Sequence, residues 1–299
     1  MIQPTLLQIK TTDELTLPGM IYSAKRSKRA AIFLHGNGSS SVFYKDDMRK
    51  TMAAAFNRAG VSLLLFNNRG AHFIKTLHVK DKRKRFGMAY EKIKECIIDI
   101  DAAISCLKKL GYAEFYLIGE STGANKICVY HFYKPKNPVS KNILIGGGDD
   151  TGIYYSMLGK KKFFRLLEES KKNIKRGKGE QMISELLPDE FFSYQGFYDI
   201  ANPDGDYNVF PFYEKMRNVR LSRKPLFRHF RSINKPTLVV YGSQDQYAWN
   251  NVPGIMDILK KLKPEFQYNM ITGGDHSLSG HQRELGSIIS AFLKHKRAQ

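Results

Sequence analysis

The sequence predicts an α/β protein: a mostly parallel sheet with helices on both faces and an inserted cap. Three observations carry that expectation. Short runs that are apolar on both faces alternate with helical patterns, the order that builds a mostly parallel sheet covered by helices. One stretch, residues 151–230, breaks the alternation and contains no run that fits the sheet. The chain of 299 residues can bury one large core, or a core and a smaller cap. The expected organisation is a core of residues 1–150 and 231–299, with 151–230 as the cap or lid.

Taken in order, Leu6–Lys10 and Leu15–Tyr22 read as an antiparallel hairpin at the start of the sheet. Strands follow at Ala30–Leu34, Val61–Phe66, Phe115–Ile118, Asn142–Ile145 and Thr237–Tyr241, with a weaker last one at Tyr268–Ile271. Between them, Tyr90–Leu110 places Ile93, Ile97, Ile100, Ile104 and Leu107 at helical spacing, and Gly111 stands where that helix should stop. Ala124–His131, Val252–Leu262 and Gln282–Lys294 supply further helices.

The insertion contains a basic helical pattern, Lys160–Lys175, then a Gly/Lys connector and a Pro/Asp/Gly/Tyr-rich region through Asn202–Tyr213. Phe163, Phe164, Leu166 and Leu167 could line an apolar face turned down to a site, or could pack away from any pocket. Lys160, Lys161, Lys162, Arg165, Lys171, Lys172, Lys175, Arg176 and Lys178 crowd the same segment. They either steer anionic substrates to an entrance or form a solvated face.

Composition narrows the class. The apolar fraction of 42% and charged fraction of 25% are ordinary for a globular protein. No apolar run approaches the roughly 18–20 residues of a membrane span, and the amino terminus lacks the order of a secretory signal, so a cytoplasmic location is expected. Cys96, Cys106 and Cys128 show no zinc or redox spacing and read as small packing groups. The net charge of +20 permits acidic substrates, nucleic acid or anionic membrane as partners, but no nucleic-acid motif accompanies it. Neither a cofactor nor a metal is expected, and the sequence does not speak to oligomeric state.

Four local patterns carry chemistry. Gly119-Glu120-Ser121-Thr122-Gly123 follows an apolar strand and precedes a helical run, the context that makes G-x-S-x-G a nucleophile elbow. His35-Gly36-Asn37-Gly38 follows the strand Ala30–Leu34. Backbone N–H groups of Asn37, or else Gly38, together with Thr122, can meet a developing oxyanion, and His35 reads as a brace for the loop. Asp245, after the strand Thr237–Tyr241, can orient an imidazole, with Asp149 and Asp150 as rival acids after the preceding strand. His276 follows the last strand and suits a general base; His281 lies nearby but outside the strand-end loop, and His131 and His229 lack the setting. All these groups fall at carboxyl ends of strands, where open α/β sheets bind ligands.

In this order of oxyanion loop, Ser, Asp and His, the chain resembles the α/β-hydrolase family over roughly residues 5–297, interrupted at the cap. The resemblance implies an eight-stranded, mostly parallel sheet and metal-independent ester hydrolysis through an acyl-enzyme. It implies Ser121, Asp245 and His276 as the triad, with Asn37 and Thr122 in the oxyanion hole. Phe66-Asn-Asn-Arg-Gly70 and the segment from Gly87-Met-Ala-Tyr-Glu to Asp99-Ile-Asp-Ala are similar to a branch containing siderophore esterases, and the cap to those of feruloyl and cinnamoyl esterases. Glu120 departs from the pattern, since the family often has His, Gln or Tyr there. The expected function is a serine esterase acting on small or medium-sized, possibly anionic esters. A thioesterase, peptidase or C–C bond hydrolase could use the same triad, and a non-catalytic binding protein on the same scaffold is the alternative of another class.

Overall fold

The computed structural model of the chain describes residues 3–38, 41–44, 46–184, 186 and 190–294. Its strands are β1 (Thr5–Lys10), β2 (Thr16–Tyr22), β3 (Arg29–Leu34), β4 (Ser62–Phe66), β5 (Lys75–Val79), β6 (Lys82–Phe86), β7 (Glu114–Glu120), β8 (Val139–Ile145), β9 (Thr237–Gly242) and β10 (Gln267–Ile271). The helices are α1 (Asp46–Arg58), α2 (Cys96–Lys109), α3 (Thr122–Tyr133), α4 (Asp150–Lys175), α5 (Tyr194–Ala201), α6 (Phe212–Met216), α7 (Arg228–Arg231), α8 (Val252–Leu262) and α9 (Gln282–Lys294).

Eight strands form one sheet in the order β1-β2-β4-β3-β7-β8-β9-β10. The pairs β1/β2 and β2/β4 are antiparallel, and the rest are parallel. Alternation along each strand divides the core in two. Ala30, Ile32 and Leu34 of β3, Leu64 and Phe66 of β4, and Phe115 and Leu117 of β7 join one cluster with residues of α2, α3 and α8. Ala31 and Phe33, Leu63 and Leu65, and Tyr116 and Ile118 join the other with residues of α1 and α9. Both faces of the central strands are therefore dry, which is why their sequences show unbroken apolar runs.

The segment between β8 and β9 shares the first cluster rather than forming its own. Phe163, Leu166, Phe197, Tyr207, Val209 and Phe230 are buried with residues of α2 and α3. Helix α4 is broken at Gly159, whose φ of 71° and ψ of 156° lie outside helical space and suit a residue without a Cβ.

Several elements depart from the sequence reading: α4 starts ten residues before the pattern at Lys160–Lys175, and α5, α6 and α7 carried no helical expectation. Helix α1 and the antiparallel hairpin β5–β6 were not expected. Lys82-Arg83-Lys84-Arg85 has no apolar alternation and all four residues are exposed, so no periodicity marks β6. The helix expected at Tyr90–Leu110 begins only at Cys96, after two 3-10 turns at Met88–Tyr90 and Ile93–Glu95. The N–H of Ile93 donates to Asp199 Oδ2 (2.7 Å), and Glu91 receives Lys126 Nζ (2.6 Å), so tertiary partners hold this segment outside a regular helix. Among the described residues, no helix is long and apolar enough to cross a membrane.

Candidate active site

Ser121 lies between β7 and α3 with φ 57° and ψ −129°. A non-glycine residue at such a φ is strained and is held there by its surroundings. Its N–H donates to Ile145 O of the neighbouring strand (2.8 Å), and its carbonyl accepts from Ala124 N (2.8 Å). The side chain makes no helix-capping hydrogen bond, so the hydroxyl is not used structurally as an N-cap. The flanking glycines allow the turn: a Cβ on Gly119 would lie 2.3 Å from Gly123 O, and one on Gly123 would lie 2.0 Å from Leu34 O. The G-x-S-x-G spacing is thus a packing requirement where β3, β7 and α3 meet.

The loop after β3 passes directly over the serine, since a Cβ on Gly36 would come 2.9 Å from Ser121 Cβ. His35 is buried and its Nδ1 bonds to Gly36 O (2.8 Å). Burial, with the nearby Lys126 cation, holds its imidazole well below the usual histidine range. A neutral ring held by its own loop fits a brace. Asn37 is tied from beneath: Tyr207 Oη lies 3.4 Å from Asn37 Oδ1 and donates to Glu91 Oε2 (3.0 Å), and Glu91 pairs with the fully buried Lys126. This chain joins the loop after β3, the segment between β8 and β9, and the helix that follows Ser121.

At the carboxyl ends of β9 and β10, His276 Nδ1 contacts both oxygens of Asp245, at 3.0 and 2.9 Å. Asp245 is buried and also accepts from Tyr247 N (2.9 Å), while the Tyr247 ring packs edge-on against the imidazole at 4.7 Å. The imidazole passes over Gly146, the residue after β8, where a Cβ would come 3.3 Å from its Cε1. No hydrogen bond joins Ser121 Oγ to His276 among the described residues, but both line one cavity of about 480 Å³, together with Asn37 and Thr122. Catalytic hydrogen bonds are often long before substrate is bound. A larger recess of about 690 Å³ lies at the opposite ends of the strands, against Arg29, Glu114 and Val139, away from all these groups.

The rival acids have other places. Asp149 caps α4, accepting from Gly152 N (2.8 Å) and Tyr213 N (2.6 Å), and burial pushes its carboxyl up to about 7. Asp150 faces the cavity, where it accepts from Asn125 Nδ2 (3.1 Å) and lies 3.3–3.4 Å from Thr122 Oγ1. Burial, then the Asp149 charge, push it up to about 7. The other histidines weighed as bases are engaged elsewhere: His131 with Asn142, His229 with Asp206 and His281 with Glu284. Glu120 pairs with Arg49 Nη1 at 3.3 Å, and the Arg49 guanidinium stacks over Phe33, so the departure beside Ser121 is a buried ion pair.

The cavity wall corrects one expectation. Phe163, Phe164, Leu166 and Leu167 do not line it; Ile153, Tyr154 and Met157, from the first turns of α4, do. Phe163 and Phe164 pack instead against Tyr155 on the far side of the Gly159 break. Phe73, Met88, Glu190, Gln246, Tyr247 and Ser277 complete much of the lining. Met88 and Glu91 belong to a segment noted for its motif, and Gln246 and Tyr247 adjoin Asp245. Tyr154, Glu190 and Tyr207 carry no sequence signal of their own.

A family model described as "Protein of unknown function (DUF1749)" matches residues 84–293. The chain belongs to the DUF1749 family. The match spans Ser121, Asp150, Asp245 and His276 but not the loop of Asn37. No curated protein matches the sequence. Among solved structures, Est1E from Butyrivibrio proteoclasticus bound to ferulic acid superposes with a TM-score of 0.67 at 15% identity, covering 98% of this chain and 100% of that one. The α/β hydrolase GrgF from Penicillium gives 0.61 at 14%, covering 98% of each chain. Carboxylesterase CesB (YbfK) from Bacillus subtilis gives 0.57 at 17%, covering 98% and 92%. Likeness at such identities establishes the architecture: this DUF1749 protein has the α/β-hydrolase fold, with an eight-stranded, mostly parallel sheet.

Proposed function

We propose that the protein is a serine hydrolase that cleaves carboxylic esters through an acyl-enzyme, with Ser121 as nucleophile, His276 as base and Asp245 as acid. The observation that carries this reading is the pairing of two features on one cavity. Ser121 is held at φ 57° with its hydroxyl free of any cap, and His276 is gripped through Nδ1 by a buried carboxylate. Such a grip leaves Nε2 to take the serine proton, and the carboxylate stabilises the imidazolium that results. Ser121 Oγ adds to the ester carbonyl, and its proton passes to His276. The oxyanion meets the N–H groups of Thr122 and of Asn37 in the loop over the serine. Collapse expels the alcohol, which takes the proton from His276, and water repeats the sequence on the acyl-enzyme.

The segment between β8 and β9 acts in this reading as a cap whose first turns, through Ile153, Tyr154 and Met157, form part of the substrate wall. A fluorophosphonate probe tests the assignment. It should label the wild-type protein at Ser121 and leave Ser121→Ala unlabelled, and equal labelling of both would remove Ser121 as nucleophile.

A further inference from the structure

The catalytic cavity has the opposite charge from the molecule that contains it. The chain carries a net +20, yet the described residues lining the cavity include three carboxyl side chains, Glu120, Asp150 and Glu190, and no lysine or arginine. Glu120 has a cationic partner, Arg49 at 3.3 Å, whereas Glu190 accepts from a neutral one, the Tyr154 hydroxyl at 2.8 Å. Of the two carboxyls without a cation, Asp150 lies beside Thr122, the residue after Ser121. Its hydrogen-bond partners, Thr122 Oγ1 and Asn125 Nδ2, are both neutral. The Asn125 amide is oriented by Gly148, whose carbonyl accepts from Nδ2 (2.8 Å) and whose N–H donates to Oδ1 (3.2 Å). A carboxylate has about four lone-pair positions, so these two donors leave part of Asp150 open to the cavity.

We infer that the cavity selects substrates bearing a cationic nitrogen, and that Asp150 is the specificity-determining carboxylate that receives it. The word substrate rests on the hydrolase reading above; the cation site does not. Ionising a carboxyl in a desolvated site without a cationic partner is costly. The cost appears in Asp150 as an acidity weakened to about 7, mainly through burial and secondarily through Asp149, with Thr122, His276 and Lys126 acting against it. A cation seated in the cavity supplies the missing counter-charge, whereas an anion meets a second negative group. The position also favours recognition next to the chemistry, because Asp150 contacts the side chain of Thr122, the residue after the nucleophile. The nine basic residues between Lys160 and Lys178 do not line the cavity, so they do not offset this preference at contact range.

The experiment is a charge series of nearly equal shape: the butyrate ester of choline, its uncharged isostere 3,3-dimethylbutyl butyrate, and 2-sulfoethyl butyrate. The expected order of kcat/KM is cationic, neutral, anionic. The first step should be about tenfold or more, a modest share of what opposite charges in contact supply at an effective dielectric constant near 20. In Asp150→Asn the cationic-to-neutral ratio should fall to near one. A wild-type ratio at or below one overturns the inference while leaving the hydrolase reading in place, as does a ratio unchanged in Asp150→Asn. Calorimetric titration with phenyltrimethylammonium keeps the two readings separable. If no ester is turned over but this cation binds the wild type and not Asp150→Asn, the cation site stands and the ester hydrolase falls. Absence of binding at millimolar concentration overturns the cation site.

Discussion

The two halves of α4 are covalently continuous and physically opposite. Before Gly159, Asp150, Ile153, Tyr154 and Met157 face the cavity, and Asp150 is the only charged residue. After it, Lys160, Lys161, Arg165, Lys171, Lys172 and Lys175 are exposed, while Phe163, Leu166 and Leu167 are buried in the core. The second half is an ordinary amphipathic helix, and its cationic heads reach water as long side chains do. The first half is a wall of a site. A charge census over the whole helix describes the second half and misdescribes the first, and the same holds for the +20 of the chain. Bulk charge reports the solvated surface; chemistry depends on which few groups a cavity keeps away from water.

The comparison can be broken most sharply at the acid. Asp245→Asn should lower kcat by about 10⁴, the scale set by the equivalent substitution in a serine protease. Asp149→Asn should keep the α4 cap but remove the acceptor for Tyr213 N, at about 1–3 kcal/mol of stability. If Asp245→Asn proves nearly silent in steady-state assays while Asp150→Asn is crippling, the cavity half of α4 supplies the acid.

The next test sets one half of α4 against the other. Phe163 is fully buried, and Phe163→Ala should cost about 3–5 kcal/mol in chemical denaturation without altering ester chain-length preference. Met157 lines the cavity yet is 54% exposed, so Met157→Ala should shift that preference several-fold and leave stability within about 0.5 kcal/mol. The reverse pattern would exchange the roles assigned to the two halves.

Tyr207→Phe removes the hydroxyl between Asn37 and Glu91 and leaves a buried carboxylate oxygen without that donor. Losing such a partner costs about 1–3 kcal/mol. Expressed at the oxyanion loop, it should lower kcat by about tenfold with KM little changed. A change confined to stability would make the network structural only.

A smaller effect is expected from pH. Asp150 titrates near 7 among Asp149, His276, Lys126, Thr122 and Asn125. Its ionised form predominates above that value, so the cationic-to-neutral ratio of kcat/KM should rise from pH 6 to pH 8. Both esters share the same reaction steps, so effects of pH common to the two cancel in the ratio. A ratio independent of pH would separate Asp150 from cation recognition. The smallest effect belongs to the solvated face: Lys160→Glu with Lys161→Glu should change neutral-ester kcat/KM by less than about twofold, since exposed charges couple weakly. A large change would place that face at the entrance.

Much of this protein was legible in its sequence because the signals were local. Strands dry on both faces must be apolar at every position, so β3, β4, β7, β8 and β9 stand out as runs. The elbow is legible because Gly119 and Gly123, two positions to either side of Ser121, sit where backbones cross too closely for a Cβ. Ser121, Asp245 and His276 are recognisable because each follows a strand, and strand ends converge in a parallel sheet. Tertiary structure alone decided the rest. Hairpin β5–β6 is made by pairing with β6, whose residues Lys82–Arg85 are all charged and exposed and so leave no apolar period in the sequence. Glu91 meets Tyr207 across 116 positions of chain, a distance over which no spacing rule operates. Asp149 and Asp150 are identical neighbours in sequence, yet one caps a helix and the other faces the cavity that Ser121 and His276 line. Successive residues at a helix start point in different directions, and only the packing around that start determines which of them faces the cavity.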